Sequence, residues 1–337
     1  MEEMIRQLAE ELGQKAQYVE NVVRLLDEGN TIPFIARYRK ELHGAMDDTA
    51  LRTLADRLQY LRNLAQRREE IRRGIGEKLT DELDAAITAA KTLSELEDLY
   101  RPYKPKRRTR ATVAKEKGLE PLAQQLFSQA RDLPVPEELA QAYINPERGV
   151  ETVAEALAGA SDIIAEAISD DAAIRKALRG LMQRQAVLRA QAVKGKEEET
   201  SPYQTYYDFT QPVSKLQGHQ VLAVNRGERE GFLKVGIELD REQALICVRR
   251  AVLIPGGGAA EFVRAAAEDA YDRLIAPSME RELRSALTDE ANEGAIHNFA
   301  LNLRPLLMQP PVRGRVTMGL DPGYSHGCKV AVVDETG

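Results

Sequence analysis

The stretch DTALRTLADRLQYLRNLAQRREEIRRG, from Asp48 to Gly74, decides the fold class of this chain. Its apolar residues recur every three or four positions, which places them on one face of a helix. They are Leu51, Leu54, Leu58, Leu61, Leu64 and Ile71. The stretch predicts one long amphipathic helix that ends at Gly74 and packs its apolar face against other elements.

Two short helical patterns precede this long helix. Residues 3–12 and 17–28 predict two helices closed by Gly13 and Gly29, a pair that resembles a helix-turn-helix over residues 1–30. The second helix is mostly acidic, and DNA phosphates would repel it. A small packing unit is therefore the favoured interpretation.

The rest of the chain predicts more helix and a little strand. Residues 81–90, 121–130 and 150–193 have helical patterns, and residues 232–239 and 244–253 have strand character. A helical pattern then runs from 261 to 307 with a break at Pro277, and its apolar residues are expected to pack on the N-terminal helices. The prediction is a mainly α, multi-helix scaffold with a small β element over 232–253, and with domains at 1–196, 197–311 and 312–337.

The last segment predicts a two-stranded hairpin. Val316 to Leu320 and Lys329 to Val333 are apolar strands separated by a loop with Asp321, Pro322 and Gly323. Two strands alone are marginally stable in water. We therefore expect this hairpin to be the start of a domain that a longer protein completes.

Composition limits the classes of function. Apolar residues make up 43% and charged residues 30% of the chain, and the net charge is −6. The two cysteines, Cys247 and Cys328, have no zinc-type spacing, which favours a reducing, cytoplasmic location. No apolar run is long enough to span a membrane. The four histidines, His43, His219, His297 and His326, are scattered, so we expect no metal and no cofactor.

The strongest local signal is the basic segment RPYKPKRRTRATVAKEK, from Arg101 to Lys117. It carries eight basic residues and one acid, Glu116, in a chain that is acidic overall. The candidate phosphate contacts are Arg101, Lys104, Lys106, Arg107, Arg108 and Arg110. The prolines at 102 and 105 are expected to keep Tyr103 and Lys104 extended, and Tyr100 and Tyr103 are candidates for stacking on bases.

A second interpretation of the basic segment is open. A solvated loop that forms salt bridges to acidic helices of the same chain would have the same composition. Another arginine cluster, at 67, 68, 72 and 73, alternates with Glu69 and Glu70. The spacing of Glu69 and Arg73 favours pairing within the helix, so we interpret that cluster as a solvated face.

Asp321 is the sharpest candidate for metal chemistry, because it ends a buried-type strand. RNase H-like nucleases place their first metal-binding carboxylate at that point. A two-metal site needs several carboxylates to offset the charge of the ions. One aspartate at an Asp-Pro-Gly turn cannot form such a site alone, so Asp321 is a candidate catalytic residue only within a larger carboxylate set, and we expect no enzyme activity from this stretch.

Four long motifs resemble the bacterial Tex family of transcription accessory proteins. They are IPFIARYRKELHGAMD from Ile32, LEDLYRPYKPKRRTRATVAKEKGLEPLA from Leu96, HQVLAVNRGEREGFLKV from His219 and GLDPGYSHGCKVAVVD from Gly319. The resemblance covers essentially all 337 residues. It implies a helical N-terminal scaffold, then a YqgF domain of RNase H-like fold, tandem helix-hairpin-helix units and a C-terminal OB-fold that binds RNA. Asp321 matches the strand-end aspartate of the YqgF domain.

Three hypotheses of function follow from residues and resemblance together. The favoured one is a nucleic-acid-binding accessory factor of transcription, here as the N-terminal part without the RNA-binding module. The second is a metal-dependent nuclease or resolvase of the RuvC type built on Asp321. The third is a helical scaffold that docks RNA polymerase or the ribosome.

Overall fold

A computed structural model describes residues 2–44, 46–104, 107–309, 314–323 and 327–336. The chain divides into two compact units. The first unit comprises the residues up to Gly180 together with Arg241–Ala276, and the second comprises Leu181–Asp240 and the residues from Pro277 onward. The fold is mainly α, as the sequence predicts.

The helices and strands are named in chain order. The helices are α1 (Glu2–Leu12), α2 (Ala16–Asp27), α3 (Ile32–Tyr38), α4 (Asp48–Ile75), α5 (Asp81–Ala89), α6 (Leu93–Tyr100), α7 (Arg110–Glu116), α8 (Glu120–Ser128), α9 (Pro136–Gln141), α10 (Val153–Asp170), α11 (Ala172–Gln185), α12 (Gly218–Arg229), α13 (Arg241–Val252), α14 (Ala260–Asp269) and α15 (Ala276–Leu307). The strands are β1 (Val187–Ala192), β2 (Asp208–Pro212), β3 (Leu233–Glu238), β4 (Thr317–Asp321) and β5 (Lys329–Val333).

The long helix α4 organises the N-terminal part of the first unit. Its first half packs against α1, α2 and α3 around one buried apolar cluster. Its second half packs against α5 and α6 around another. The predicted stop at Gly74 is wrong, because the helix continues to Ile75 and Gly76 follows it with a positive φ of 59°. Gly74 instead gives room to Tyr100, whose Oη lies 2.7 Å from the position of an added Cβ.

Helix α10 is the centre of the rest of the first unit. Helices α7, α8, α9 and α14 all pack against it. Its small residues permit this close approach: a Cβ on Gly159 would lie 2.3 Å from Leu119 Cδ1. The expectation that the helical region after Glu261 packs on earlier helices is confirmed for α14. A π-helical turn, Ala270–Ile275, follows α14.

A buried ionic network joins α6 to α11 within the first unit. Asp98 accepts hydrogen bonds from Arg175 Nε at 2.7 Å and from Arg179 Nη2 at 2.8 Å. The side chains of Asp98 and Arg175 are 6% and 2% exposed. A carboxylate buried this deeply requires charged donors. The network therefore fixes the helix that leads directly into the basic segment.

Gln129, which directly follows α8, forms hydrogen bonds to the end of α13 and to the residues after it in the first unit. Its amide donates to the carbonyl of Val252 at 2.9 Å and accepts from the Ile254 N–H at 3.1 Å. The glycine-rich linker after Pro255 lies against the same backbone, because a Cβ on Gly258 would meet the carbonyl oxygen of Ala130 at 2.4 Å.

The second unit contains an antiparallel sheet of order β2-β1-β3. The inner face of the sheet and α12 enclose an apolar cluster with Leu188, Val224 and Val235. Strand β3 confirms the prediction for 232–239. Helix was predicted as far as residue 193, but β1 occupies its last part, where alternating buried positions follow the period of a strand. The other predicted strand, 244–253, is also wrong and forms α13.

The free edge of β3 is covered by side chains of α15 in the same unit. Glu280 Oε1 accepts from the Ile237 N–H at 3.0 Å, and Arg284 Nη1 donates to the Val235 carbonyl at 3.2 Å. Arg284 is held by Glu228 at 2.6 Å and by Asn225 at 3.0 Å. These two residues belong to α12, which extends through Arg229. The cover satisfies backbone groups that an edge strand leaves open.

The C-terminal part of the second unit exposes apolar side chains. Ile296 and Phe299 on α15 are 62% and 67% exposed, contrary to the expectation that they pack. Strands β4 and β5 form the predicted antiparallel hairpin, with Asp321 opposite Lys329. None of the helices in the described ranges is long and apolar enough to cross a membrane.

Candidate nucleic-acid interface

The basic segment begins where α6 ends. Arg101–Tyr103 form one 3₁₀ turn, so the predicted extended conformation of Tyr103 is wrong. Lys104 follows in an extended conformation, with φ −65° and ψ 131°, as predicted from the proline after it. Lys106 is a predicted phosphate contact that lies outside the described residues. The segment therefore leaves the helix as a tight turn and then extends.

Two cations at the start of the segment are held by carboxylates. Arg101 Nε donates to Asp170 Oδ1 of α10 at 3.1 Å. Lys104 Nζ lies 3.3 Å from Glu97 Oε2, and Arg67 Nε donates to the other oxygen of Glu97 at 2.7 Å. Burial raises the pKa of Glu97, but the hydrogen bonds from Arg67 and Lys104 outweigh burial and bring the pKa below its usual value. These bonds fix the segment on α6 and α10.

The next cations lie where the chain re-enters a helix. Thr109 caps α7, and its Oγ1 accepts from the Thr112 N–H at 3.0 Å. Arg108 Nη2 donates to Glu116 Oε2 at 2.9 Å, with side chains 72% and 55% exposed. A pair this exposed contributes at most about 1 kcal/mol to stability. Arg108 can therefore exchange Glu116 for another anion at small cost.

Arg107 and Arg110 are the free cations of the segment. Both are exposed. Among the described residues, no carboxylate forms an ion pair with either of them. An arginine with an unengaged guanidinium can donate two hydrogen bonds to one phosphate. Of the candidate phosphate contacts that the structure describes, Arg101 and Lys104 are thus anchored, Arg108 is exchangeable, and Arg107 and Arg110 are free.

A groove beside α7 adjoins the exposed cations of the basic segment. It has a volume of 640 Å³ and lies between α7 and α10. Arg108, Arg110 and Lys117 line it on the α7 side, and Glu155 and Asp162 line it on the α10 side. Asp162 is engaged by Arg273 at 2.8 Å. The α7 side of the groove is therefore the side that suits an anion.

The tyrosines predicted to stack on bases also pack inside the fold. Tyr100 and Tyr103 are half-buried and pack against the apolar cluster between α4, α5 and α6. The guanidinium of Arg67 lies 5.7 Å from the centroid of the Tyr100 ring. Base stacking at these two residues stays a prediction, and only the exposed part of each ring is available for it.

The second arginine cluster, on α4, is paired as predicted, but through different partners. Arg72 contacts Glu69 and Asp84, the latter at 2.6 Å, and Arg67 contacts Glu70 at 2.8 Å. Glu69 therefore pairs with Arg72 and not with the predicted Arg73. Carboxylates therefore neutralise Arg67 and Arg72, whereas Arg68 donates to the Ala90 carbonyl and Arg73 forms no ion pair with the described residues.

Asp321 lies at the end of β4 and is exposed. In the ranges that the structure describes, no group of three or more His, Cys, Asp and Glu side chains is close enough to hold a metal ion. His326, one of its neighbours in sequence, lies outside those ranges. His43 is 1% exposed, and within the described ranges neither of its ring nitrogens has a hydrogen-bond partner.

Sequence reasoning missed the residues that anchor the segment. Glu97 and Asp170 are 73 residues apart in sequence, and each belongs to an otherwise ordinary helical pattern. Nothing local marks either of them as a partner of a cation. The one available signal was the statistical excess of acid over base elsewhere in the chain.

Comparison with known protein families agrees with the motifs. A model of the Tex-like protein N-terminal domain matches residues 2–76, and a model of the Tex central region matches residues 132–299. The chain belongs to the Tex family. The two matches include parts of both compact units, and the basic segment lies between the matched ranges.

Several relatives of this Tex-family chain are similar over nearly all of its length. The protein YdcI of Bacillus subtilis is 45% identical over 98% of this chain and 47% of its own length. The transcriptional accessory protein Tex of Neisseria gonorrhoeae is 40% identical over 98% of this chain and 44% of its own length. The human S1 RNA-binding domain-containing protein 1 is 31% identical over 99% of this chain and 35% of its own length. The chain thus spans less than half the length of these relatives.

Proposed function

We propose that this chain supplies a phosphate-contacting surface to a cytoplasmic accessory factor of transcription. The observation that carries the proposal is the pair of exposed, unpaired arginines, Arg107 and Arg110, in a segment fixed at its start by Asp170 and Glu97. The name of the gonococcal relative associates that protein with transcription, and the name of the human relative gives that protein an RNA-binding domain. RNA and DNA are both candidate ligands.

The division of the segment into anchored and free cations supports this role. Phosphate contacts position a nucleic acid without reading its sequence. A cation on a pre-fixed backbone loses less conformational entropy on binding than one on a mobile loop. Arg101 and Lys104 therefore hold the backbone of the segment in place, whereas Arg107 and Arg110 bind the phosphates.

The test is fluorescence-anisotropy titration of this chain with single-stranded RNA, single-stranded DNA and duplex DNA of equal length. The double variant Arg107→Gln/Arg110→Gln should weaken binding to all three by a similar factor, because phosphates are common to them. The matched control is Arg52→Gln, an exposed arginine that Asp48 neutralises. Equal affinity of the double variant and the wild-type chain would exclude the segment from the interface.

A protein-docking role is the second candidate. The exposed Ile296 and Phe299 of α15 favour it, since exposed apolar groups that lie close together are typical of surfaces that bind other proteins. RNA polymerase and the ribosome are the partners to test. The double variant Ile296→Ser/Phe299→Ser should weaken association with the purified partner and leave nucleic-acid affinity unchanged. Equal association of variant and wild type would exclude this face.

We also propose that the hairpin β4–β5 starts an RNase H-like domain, as the Tex resemblance implies. Asp321 would then be its strand-end carboxylate. The nuclease alternative needs further carboxylates to join Asp321 around divalent ions. Mg²⁺-dependent cleavage by a full-length relative that is lost in the Asp-to-Asn variant at the matching position would support that alternative. Cleavage that the variant retains would exclude it.

A further inference from the structure

Helix α3 carries an aromatic pair with one ring exposed to solvent. Ile35 is fully buried in the N-terminal core and fixes the helix there. Phe34, which is half-buried, and Tyr38 are four residues apart and are therefore neighbours along the helix. Their ring centroids are 5.3 Å apart at an interplanar angle of 47°. The Tyr38 side of the pair is open, since that residue is 57% exposed.

Three cations are close to this pair in sequence. The guanidinium of Arg39 lies 5.1 Å from the centroid of the Phe34 ring, and its Nη1 donates to the carbonyl of Tyr38 at 3.0 Å. Arg37 precedes Tyr38, Lys40 follows Arg39, and both are exposed. Glu41 is the one acidic residue between Thr31 and Gly44.

The cations at the end of α3 and just after it differ from three arginines in the first half of α4. Arg52, Arg57 and Arg62 of α4 each pair with a carboxylate, at 2.8, 2.6 and 2.7 Å. Within the described part of the chain, Arg37, Arg39 and Lys40 form no ion pair. A cluster of unpaired cations in an acidic protein is available to an anionic ligand from outside.

The fold itself does not require this arrangement. Ile35 alone is the deeply buried residue of α3, and the exposed ring of Tyr38 adds no core packing. An open aromatic face beside free cations is the combination that binds single-stranded nucleic acid, because bases stack on the ring while arginine and lysine contact the phosphates. Bases in a duplex are already stacked on each other and cannot do the same.

We propose that α3 is a base-stacking platform for single-stranded nucleic acid, with Tyr38 as the stacking ring, Phe34 as its support, and Arg37, Arg39 and Lys40 as the phosphate contacts. This site deepens the proposed function and rests on it for the class of ligand, but it uses different residues from the basic segment. An acidic protein segment is the competing ligand, and it would use the cations without needing the ring.

The sequence offers a local probe for the test, because the chain contains no tryptophan. The Tyr38→Trp variant places a single indole at the proposed stacking position. Single-stranded RNA and DNA of the same length should quench its emission, and the stronger quencher identifies the preferred source of the bases. An abasic oligonucleotide of equal charge should leave the emission nearly unchanged.

The matched control is Tyr60→Trp. Tyr60 also carries an arginine on its ring, Arg57 at 4.8 Å, but Glu11 neutralises that arginine. Its emission should not respond to any of the oligonucleotides. Independently, Tyr38→Ala should lower affinity for single strands about tenfold and affinity for duplex DNA little. Tyr38 is mostly exposed, so the substitution leaves the core intact.

Three results would overturn the platform. One is unchanged Tyr38→Trp emission at RNA and DNA concentrations where anisotropy reports binding. Another is equal quenching by the abasic oligonucleotide, which would assign the cations to a generic anion such as an acidic protein. The third is the absence of binding to any nucleic acid, which would also remove the proposed function.

A separate variant distinguishes the two proposals. The substitutions Arg107→Gln and Arg110→Gln are introduced into the Tyr38→Trp chain. If quenching persists while these substitutions leave affinity unchanged, the basic segment fails and the α3 platform stands. If they weaken binding while Tyr38→Trp emission never changes, the platform fails and the basic segment stands.

Discussion

Arg101 Nε donates to Asp170 Oδ1 over 3.1 Å, across 69 positions of sequence. The Asp170 side chain is 11% exposed, so this bond lies mostly out of water. It fixes the first cation of the basic segment to the last turn of α10. Arg101 is therefore an anchor of the candidate interface and not one of its free charges.

The Arg101→Gln variant should lose stability and keep its nucleic-acid contacts. Removing one partner of a mostly buried charged hydrogen bond costs about 1–2 kcal/mol. Urea unfolding should show a lower midpoint than that of the control Arg52→Gln, whose bridge to Asp48 is solvent-exposed. A loss of affinity as large as that of Arg107→Gln, with no loss of stability, would contradict the anchoring role.

Asp98 should be among the most sensitive polar positions of the first unit. The Asp98→Asn variant removes the carboxylate that Arg175 and Arg179 share, and the Arg175 side chain is 2% exposed. Breaking a buried ion pair from one side costs about 3–5 kcal/mol. Urea unfolding measures this loss, and Asp48→Asn on the surface of α4 is the control with an expected loss below about 1 kcal/mol. Equal midpoints for the two variants would show that the network does not stabilise the unit.

Glu97 should make stability depend on pH in the acid range. Its pKa in the folded chain lies below the usual value, because the bonds from Arg67 and Lys104 outweigh the effect of burial. A lowered folded-state pKa contributes stability that is complete above the unfolded-state pKa of about 4.3 and is lost as pH falls through the folded-state pKa.

The Glu97→Gln variant tests this contribution. The stability difference between the wild-type chain and Glu97→Gln should be largest near neutral pH and shrink below about pH 4. Urea midpoints measured from pH 7 to pH 3 give the comparison, with Glu82→Gln on the exposed face of α5 as control. A difference that stays constant over this range would show that the charge of Glu97 is not the cause.

Glu280 should protect the edge of β3. Its Oε1 accepts from the Ile237 N–H at 3.0 Å, so Glu280→Ala exposes that amide to water. Hydrogen exchange in a peptide spanning residues 233–238 should become faster, while Glu290→Ala farther along the same helix leaves it unchanged. Equal exchange in both variants would mean that the edge is protected by other contacts.

The parts of the fold that the sequence predicts are those with a local signal. The apolar period of α4 identified its buried residues, since one helix face repeats every 3.6 positions. Apolar periodicity did not identify the helix at residues 244–253, because a short apolar run fits a strand and a buried helix equally well. In the structure Ala244, Leu245 and Val248 are buried together on one helical face. Tertiary contacts decided between the two.

The same distinction between local signals and tertiary contacts applies to the candidate interface. Composition and charge identified the basic segment, and proline rules identified the extended Lys104. Which of its cations are free depends on Glu97 and Asp170, whose positions are set by helix packing and not by neighbours in sequence. The aromatic face of α3 was within a quoted motif, but only solvent exposure separates Tyr38 from the packed Tyr100.

The salt dependence of binding to single-stranded RNA shows directly whether Arg107 and Arg110 contact phosphates. Each phosphate contact adds about 0.7 to the slope of log affinity against log salt concentration. The variant Arg107→Gln/Arg110→Gln should therefore have a slope shallower by about 1.4 than that of the wild-type chain. The matched variant Arg101→Gln/Lys104→Gln should keep the wild-type slope. Equal slopes for the wild-type chain and the Arg107/Arg110 variant would contradict the account.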